Sequence, residues 1–201
     1  QQLADVIQAP PRRWTADTLW RAYELLEKEK VRGSGSHRLL TDIVSLVRFT
    51  PEFTEATRLA RNDAFRDHWG SQPSAPESWA KFIGGEVFRP DLSWLAVEAA
   101  PGAEDAGPHV VAFALASVNR DDWALQGFSS AYIDLIGVAR DRRGQKLAPA
   151  VIAAQLRGAA AEGLDRAILD VDTASPTGAH MLYSGMGFVA TEREVALVLA
   201  Y

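Results

Sequence analysis

Cysteine is absent from the 201 residues of the chain, and this absence removes several kinds of chemistry at once. Without thiols there is no disulfide framework, no thiolate nucleophile and no cysteine-based metal site. The four histidines, His37, His68, His109 and His180, lack the i, i+4 spacing of a helical metal site. We therefore predict a protein that holds no metal ion.

Long apolar runs are missing as well. No stretch approaches the roughly 20 apolar residues of a membrane-spanning helix, and no signal-peptide pattern opens the sequence. Hydrophobic residues make up 47% of the chain and charged residues 23%, which is the composition of a folded globular protein. We expect a cytoplasmic protein with no membrane partner.

Positive charge is the scarcer sign, because 21 Lys and Arg residues face 26 Asp and Glu residues, for a net charge of −5 at pH 7. An acidic balance argues against a general nucleic-acid-binding surface. It suits a cationic binding partner such as an amine.

The most informative stretch is residues 130–148, SAYIDLIGVARDRRGQKLA. Residues 132–138 are apolar and β-branched, which predicts a buried strand. The basic loop, which we define as residues 140–148, follows directly. It carries four cations and one glycine ahead of an Ala-rich helix, namely Arg140, Arg142, Arg143, Lys146 and Gly144.

Cations at the N-terminus of a helix oppose the helix dipole, which favours anions there. Their presence indicates a bound anion held jointly by free backbone N–H groups and the cationic side chains. Pro149 fits this position because proline lacks an N–H and is tolerated near a helix start. The alternative for this loop alone is an exposed turn that happens to be basic.

Two motifs downstream favour the anion site. The loop sequence RGQKLA, residues 143–148, resembles the pyrophosphate loop Arg/Gln-x-x-Gly-x-Gly/Ala of the GNAT superfamily of N-acetyltransferases, with Lys146 where that family usually has glycine. The sequence AHMLYSGMGF, residues 179–188, matches the family's later signature Ala-x-x-Leu-Tyr-x-x-x-Gly-Phe at every position. The resemblance covers about residues 43–201 and is greatest to the second half of tandem GNAT proteins.

The resemblance implies an α/β fold of α+β layers, in which a mixed central sheet of six to seven strands is flanked by helices. It also implies acetyl-CoA as the co-substrate and a small-molecule or peptide amine as the acceptor. The pyrophosphate would bind at residues 143–148, that is at Arg143, Gly144, Gln145, Lys146, Leu147 and Ala148. Ile136 and Val138 would pair with the pantetheine arm, Val138 would donate to the thioester carbonyl, and Ser175 would lie near the coenzyme.

By the same resemblance Tyr183 is the general acid that protonates the departing thiolate, the alternative being a tyrosine that only packs beneath the sheet edge. The general base is less determined. Asp134 is the residue we choose, but Tyr132 shares its strand face, Glu98 and His180 are further alternatives, and many family members use a chain of water instead. The resemblance also makes His68 and Trp69 contacts for the acceptor, although both residue types are common at half-buried surface positions.

We divide the chain at residue 40. Residues 41–201 form the acetyltransferase domain, and residues 1–40 form a helical extension with a Gly/Ser link at 31–37 that is either native or a leftover of cloning. The periodicity of residues 15–30 predicts an amphipathic helix, through which the chain would form a homodimer.

Residues 9–48 also resemble a C-terminal helical segment of type I restriction enzyme motor subunits. Two alternatives to catalysis follow: a scaffold that only binds acyl-CoA, and an accessory module of DNA restriction.

Overall fold

The structure is a computed structural model, and it describes residues 2–8, 44–68, 70–98, 108–173 and 178–196. Within these ranges seven strands form one sheet. They are β1 (Gln2–Gln8), β2 (Val44–Arg48), β3 (Trp94–Glu98), β4 (His109–Ser117), β5 (Ser130–Val138), β6 (Arg166–Asp172) and β7 (Val189–Ala196). The helices are α1 (Thr54–Ala64), α2 (Pro76–Ile83), α3 (Trp123–Gln126), α4 (Leu147–Ala161) and α5 (Ala179–Gly185). None of them is long and apolar enough to span a membrane.

The strand order is β2-β3-β4-β5-β6-β1-β7, and every neighbouring pair is antiparallel except β5 and β6. The mixed sheet of six to seven strands predicted from the sequence is therefore confirmed. The single parallel pair lies at its centre and is joined by α4, as a parallel connection requires a crossover.

Two cores cover the faces of the sheet. On one face, α4 and α5 pack on apolar residues of the central strands, including Ile133, Leu169 and Val171. On the other face, α1 and α2 enclose an aromatic cluster around Phe113, which has no exposed surface. Gly137 of β5 leaves room for the Phe113 ring and the end of α1, because a Cβ there would lie 2.3 Å from Cζ of Phe113 and 3.0 Å from Cβ of Ala64.

Strand β1 was not foreseen. We predicted that residues 1–40 form a helical extension, but residues 2–8 form a strand between β6 and β7, antiparallel to both. The main-chain groups of β6 that face away from β5 thereby gain hydrogen-bond partners, which buried main chain requires. The helix predicted for residues 15–30 and the link at 31–37 lie outside the described residues, and dimerisation through them stays a prediction.

The starts of α1 and α2 lack side-chain caps, although Thr50 and Ser74 before them are of residue types that often cap helices. A short 3-10 turn at Pro51–Phe53 intervenes before α1, and neither the Phe53 nor the Ala75 cap makes a side-chain hydrogen bond. The Ser74 N–H instead donates to Oδ1 of Asn62 at 2.7 Å, so side-chain contact between α1 and the segment before α2 replaces the cap.

Candidate functional site

The two central parallel strands separate within the sheet. β5 pairs with β6 only at Ser130–Arg166, Ala131–Ala167 and Tyr132–Ile168. Beyond this point β6 keeps only its partner on the other edge, β1. The second half of β5 therefore has a neighbour on one side only, and a wedge opens between β5 and β6.

The open edge of β5 presents the main-chain groups of Ile136 and Val138. The Ala139 N–H donates to the Val111 carbonyl of β4 at 2.8 Å. Hydrogen bonding alternates along an antiparallel pair, so the N–H and C=O groups of residues 136 and 138 point away from β4. These are the two residues that the sequence analysis selected for the pantetheine arm, and their main chain faces the wedge.

A cleft of about 820 Å³ occupies the wedge and continues to the basic loop and the end of α1. Such a volume lies in the range of small-molecule and cofactor sites. Of the predicted site residues, nine line the cleft: Asp134, Ile136, Val138, Arg143, Gly144, Lys146, Leu147, Ala148 and Tyr183. Gln145 is in the same loop but does not line the cleft, and Ser175 lies outside the described residues.

The basic loop leaves several main-chain donors without acceptors. The N–H groups of Gly144, Gln145, Leu147 and Ala148 find no hydrogen-bond acceptor in the described part of the chain, whereas the Arg143 N–H donates to the Arg140 carbonyl at 3.4 Å. Unsatisfied donors at a helix N-terminus, together with the helix dipole, form an anion-binding site. The free backbone N–H groups that the sequence predicted at this helix start therefore belong to these four residues.

Lys146 adopts a left-handed backbone conformation at the N-cap of α4, with φ of 59° and ψ of 24°. It is the sole non-glycine residue with positive φ in the described ranges. Glycine adopts this conformation freely, while a side chain costs about 1–2 kcal/mol. The geometry explains the glycine preference at this motif position, because the backbone conformation that the loop requires is strained for any residue with a side chain.

Replacing Lys146 by glycine is expected to raise the free energy of unfolding by about 1 kcal/mol, because the left-handed strain disappears. For a chain of this size the melting temperature should rise by about 2–4 °C in a thermal unfolding scan. Lys146→Ala is the matched control, since it removes the same charge and contacts but keeps a Cβ. Equal melting temperatures for the two variants would show that strain is not the cause.

The three arginines of the loop are paired with acidic residues. Arg142 makes a bidentate pair with Glu98, with N···O distances of 3.0 and 2.9 Å. Arg143 donates to the Ala64 carbonyl at 2.8 Å and lies 3.4 Å from Oδ2 of Asp67. The other oxygen of that carboxylate, Oδ1, accepts from Arg140. The Arg140 hydrogen bond holds the pKa of Asp67 below its usual value. Asp67 thus connects the end of α1 to the loop, and no sequence pattern predicted this contact.

Tyr183 is buried in the cleft wall, with 7% of its surface exposed, and its ring packs edge-on against Phe188. Its hydroxyl has no hydrogen-bond partner among the described residues. Burial raises the pKa of Tyr183 to about 12, so the hydroxyl keeps its proton across the physiological range. The side chain is a neutral proton donor that faces the cleft.

Asp134 lies at an irregularity of the sheet. The β4–β5 register shifts between Leu115–Leu135 and Ala116–Ile133, so Asp134 is the extra residue of a β-bulge. Its Oδ1 accepts from the Ser117 hydroxyl at 3.0 Å, and its Oδ2 is buried without a partner in the described part of the chain. Burial raises the pKa of Asp134 to about 6, which is the range of a general base at neutral pH.

The other three general-base alternatives are placed differently. The Tyr132 hydroxyl donates to Asp170, and burial raises its pKa above the ordinary value, which makes it a poor base. Glu98 does not line the cleft; its pKa is lowered by the hydrogen bond with Arg142. His180 also lies outside the cleft lining, and its Nδ1 is buried without a partner in the described part of the chain.

Some residues of the cleft were missed at the sequence level. Asp170 and Asp172 of β6 line it, and the alternation in RAILDVD could have placed them on one face of the strand. Ala64, Phe65 and Asp67 line it from the end of α1. His68, predicted as an acceptor contact, also lines the cleft, while Trp69 is outside the described residues.

A comparison with protein-family models matches residues 53–188 to the acetyltransferase (GNAT) family. No match was found among curated proteins. The family match begins at residue 53 and so does not include residues 9–48. The resemblance of that segment to restriction enzyme motor subunits has no support from these comparisons.

Solved structures of acetyltransferases resemble the chain. A GCN5-related N-acetyltransferase from Sphaerobacter thermophilus has 24% sequence identity and a TM-score of 0.62; the alignment covers 96% of this chain and 49% of that protein. This chain therefore spans about half the length of that relative. The ribosomal-protein-S18-alanine N-acetyltransferase from Escherichia coli has 19% identity and a TM-score of 0.55, over 75% of this chain and 80% of its own. An aminoglycoside acetyltransferase from an uncultured soil metagenomic sample, solved with sisomicin, has 14% identity and a TM-score of 0.54, over 81% and 97%.

Proposed function

Because the chain belongs to the acetyltransferase (GNAT) family, we propose that it transfers the acetyl group of acetyl-CoA directly to a primary amine. The observation that carries this proposal is the cleft itself. It combines an anion-binding loop, an open strand edge, a carboxylate and a buried phenol in one continuous space. Acetyl-CoA would supply the activated thioester there.

The basic loop suits the pyrophosphate. The N–H groups of Gly144, Gln145, Leu147 and Ala148 offer main-chain donors, and Arg143 offers a guanidinium that can exchange Asp67 for a phosphate oxygen. Lys146 adds a second positive charge at the helix N-terminus. The charge of the loop is therefore complementary to the most highly charged part of the coenzyme.

The open edge of β5 suits the pantetheine arm. The free main-chain groups of Ile136 can pair with an amide of that arm as a neighbouring strand would. The Val138 N–H can donate to the thioester carbonyl oxygen, which gains negative charge when an amine attacks its carbon. By the family resemblance Ser175, which is outside the described residues, would lie near the coenzyme.

Proton transfer would involve Asp134 and Tyr183. The neutral amine attacks the carbonyl carbon as a nucleophile. The nitrogen then loses a proton to the Asp134 carboxylate, which acts as the base. When the carbon–sulfur bond breaks, the thiolate takes a proton from the Tyr183 hydroxyl. Transfer from thioester to amine is a single displacement at carbon, and it needs no cysteine in the protein.

The first test is thermal unfolding with acetyl-CoA. Ligand at a hundred times its dissociation constant stabilises the folded state by about 2.7 kcal/mol, which raises the melting temperature by about 5–10 °C at 2–4 °C per kcal/mol. Arg143→Ala should reduce this rise, because one charge-assisted contact with the phosphates is lost. Acetylpantetheine, which lacks the pyrophosphate, should bind equally well to both proteins.

Arg66→Ala is the control, since Arg66 is an exposed arginine outside the cleft lining and the variant has the same net charge. If acetyl-CoA raises the melting temperature of Arg143→Ala as much as that of the wild type, the loop is ruled out as the phosphate site. Thiol release from acetyl-CoA with a panel of amines then separates catalysis from the alternative function. A protein that binds acetyl-CoA but releases no thiol with any amine would be a scaffold.

A further inference from the structure

The sheet face opposite α4 carries a group of carboxylates next to the cleft. In β6, Leu169 and Val171 are buried under α4, so the alternate residues Asp170 and Asp172 face the other way. Directly opposed residues in antiparallel strands share a face. Through β1 the register aligns Asp170 with Glu192 and Asp172 with Glu194, so the two β7 residues face the same side.

We call these four residues together with Asp134 the acidic face. Asp134, Asp170 and Asp172 line the cleft, and the Glu192 and Glu194 side chains are exposed beside it. The carboxylates of Asp170, Asp134 and Glu194 all act on the Tyr132 hydroxyl and raise its pKa, which shows that they converge on one place. These three carboxylates therefore act together on one place, and Asp172 and Glu192 lie on the same face at neighbouring register positions.

A second observation indicates that this environment receives a ligand. Tyr183, which is 93% buried because only 7% of its surface is exposed, has an unpartnered hydroxyl that faces the same cleft. Oδ2 of Asp134 is also buried without a partner in the described ranges. Buried polar groups in folded proteins are normally hydrogen-bonded, so an unpartnered phenol and an unpartnered carboxylate oxygen at one cleft indicate that the cleft binds a polar ligand.

The charges along the cleft have opposite signs at its two ends. Arg142, Arg143 and Lys146 line it at the basic loop, and Asp134, Asp170 and Asp172 line it at the sheet. Arg193 alternates with Glu192 and Glu194 and so faces the α4 side of β7. Arg166 stacks on the Phe128 ring, 3.7 Å from its centroid. The acidic face thus keeps a negative field at the end away from the phosphates.

We infer that the acceptor is a small molecule with at least two amino groups, one acetylated beside Asp134 and another bound as an ammonium ion by the acidic face. This inference rests on the proposed function and narrows its substrate class. Strands lie about 4.8 Å apart, so β6 and β7, with β1 between them, place their carboxylates roughly 10 Å apart. Linear polyamines and amino sugars both carry ammonium groups at such spacings.

The test compares three acceptors that share a seven-carbon chain, which is long enough to span roughly 10 Å: 1,7-diaminoheptane, 7-amino-1-heptanol and 1-aminoheptane. We expect kcat/KM for the diamine to exceed that of the other two by about tenfold or more. The double variant Glu192→Gln/Glu194→Gln should lower this preference at least fivefold. The control Glu86→Gln/Asp121→Asn makes the same charge change at exposed residues outside the cleft lining, and it should keep the wild-type preference. Spermidine and kanamycin are tested as two further acceptors. The one with the higher kcat/KM shows whether the acceptor is a linear polyamine or an amino sugar.

Binding gives a readout that does not depend on catalysis. Calorimetric titration of spermidine into protein saturated with coenzyme A should show binding that the Glu192→Gln/Glu194→Gln variant weakens at least fivefold and the control does not. If no amine is acetylated but spermidine binds in this way, the proposed function fails and the acidic face stands as a polyamine site. A wild-type protein that prefers aminoheptanol to the diamine, or a diamine preference that the double variant leaves unchanged, would overturn the inference.

Discussion

Replacing Asp134 by asparagine is expected to lower kcat for amine acetylation by roughly 10²–10⁴-fold, the usual contribution of a general base. Asparagine keeps the shape of the side chain and an oxygen that can accept from the Ser117 hydroxyl, as Oδ1 of Asp134 does at 3.0 Å. Binding of acetyl-CoA, measured by thermal shift, should remain. Wild-type kcat/KM should fall as the pH drops through about 6, because the Asp134 pKa is raised to about 6 and the protonated acid cannot take a proton.

The same substitution should change how stability depends on pH. Burial raises the Asp134 pKa from 3.8 in the unfolded chain to about 6 in the folded one, so the folded state holds the proton more tightly. The free energy of unfolding of the wild type therefore falls as the pH rises from about 4 to above 6. The asparagine side chain of the variant carries no such proton, so the difference in stability between variant and wild type should shift in favour of the variant by up to about 3 kcal/mol over this window.

Urea unfolding at pH 4 and pH 7.5 measures that shift. Asp121→Asn is the control, because it makes the same chemical change at an exposed residue and should show no comparable shift. Activity within about threefold of wild type would exclude Asp134 as the base and favour a water chain. A stability difference that is the same at both pH values would show that the Asp134 pKa is not raised.

Replacing Tyr183 by phenylalanine is expected to lower kcat by about 10²-fold, because the thiolate then departs without a proton donor. The dissociation constant of acetyl-CoA should change little. Stability should stay within about 0.5 kcal/mol of wild type or rise, since the hydroxyl has no hydrogen-bond partner among the described residues and its removal breaks no contact. Steady-state kinetics and thermal unfolding of the same preparation measure both effects.

Met181→Leu on the same helix is the matched control, because Met181 is 68% exposed and does not line the cleft. If Tyr183→Phe keeps wild-type kcat, the tyrosine only packs beneath the sheet. If it loses kcat together with several kcal/mol of stability, the loss of activity reflects damage to the fold instead of the loss of an acid. The expected result is a large loss in kcat with an intact fold.

The sequence determined those features that depend on local pattern. The β-branched run of residues 132–138, the basic loop and the motif at residues 179–188 are each contiguous, and together they were sufficient to predict the family and the mixed sheet. Nine of the predicted site residues line one cleft because those residues come from the ends of adjacent elements, β5, α4 and α5. The sequence also showed that Lys146 occupies a motif position where the family usually has glycine.

The tertiary structure decided what depends on elements distant in sequence. Strand β1 lies between β6 and β7, where it supplies main-chain partners to the edge of β6 that faces away from β5. Asp67 meets Arg143 across 76 residues of sequence. The bulge at Asp134 is set by its register against β4, and it combines with burial to raise the pKa of that carboxyl. Hydrophobic periodicity reports which side of an element is buried, but register, strand order and the charge that neighbouring elements share arise only when the whole sheet assembles.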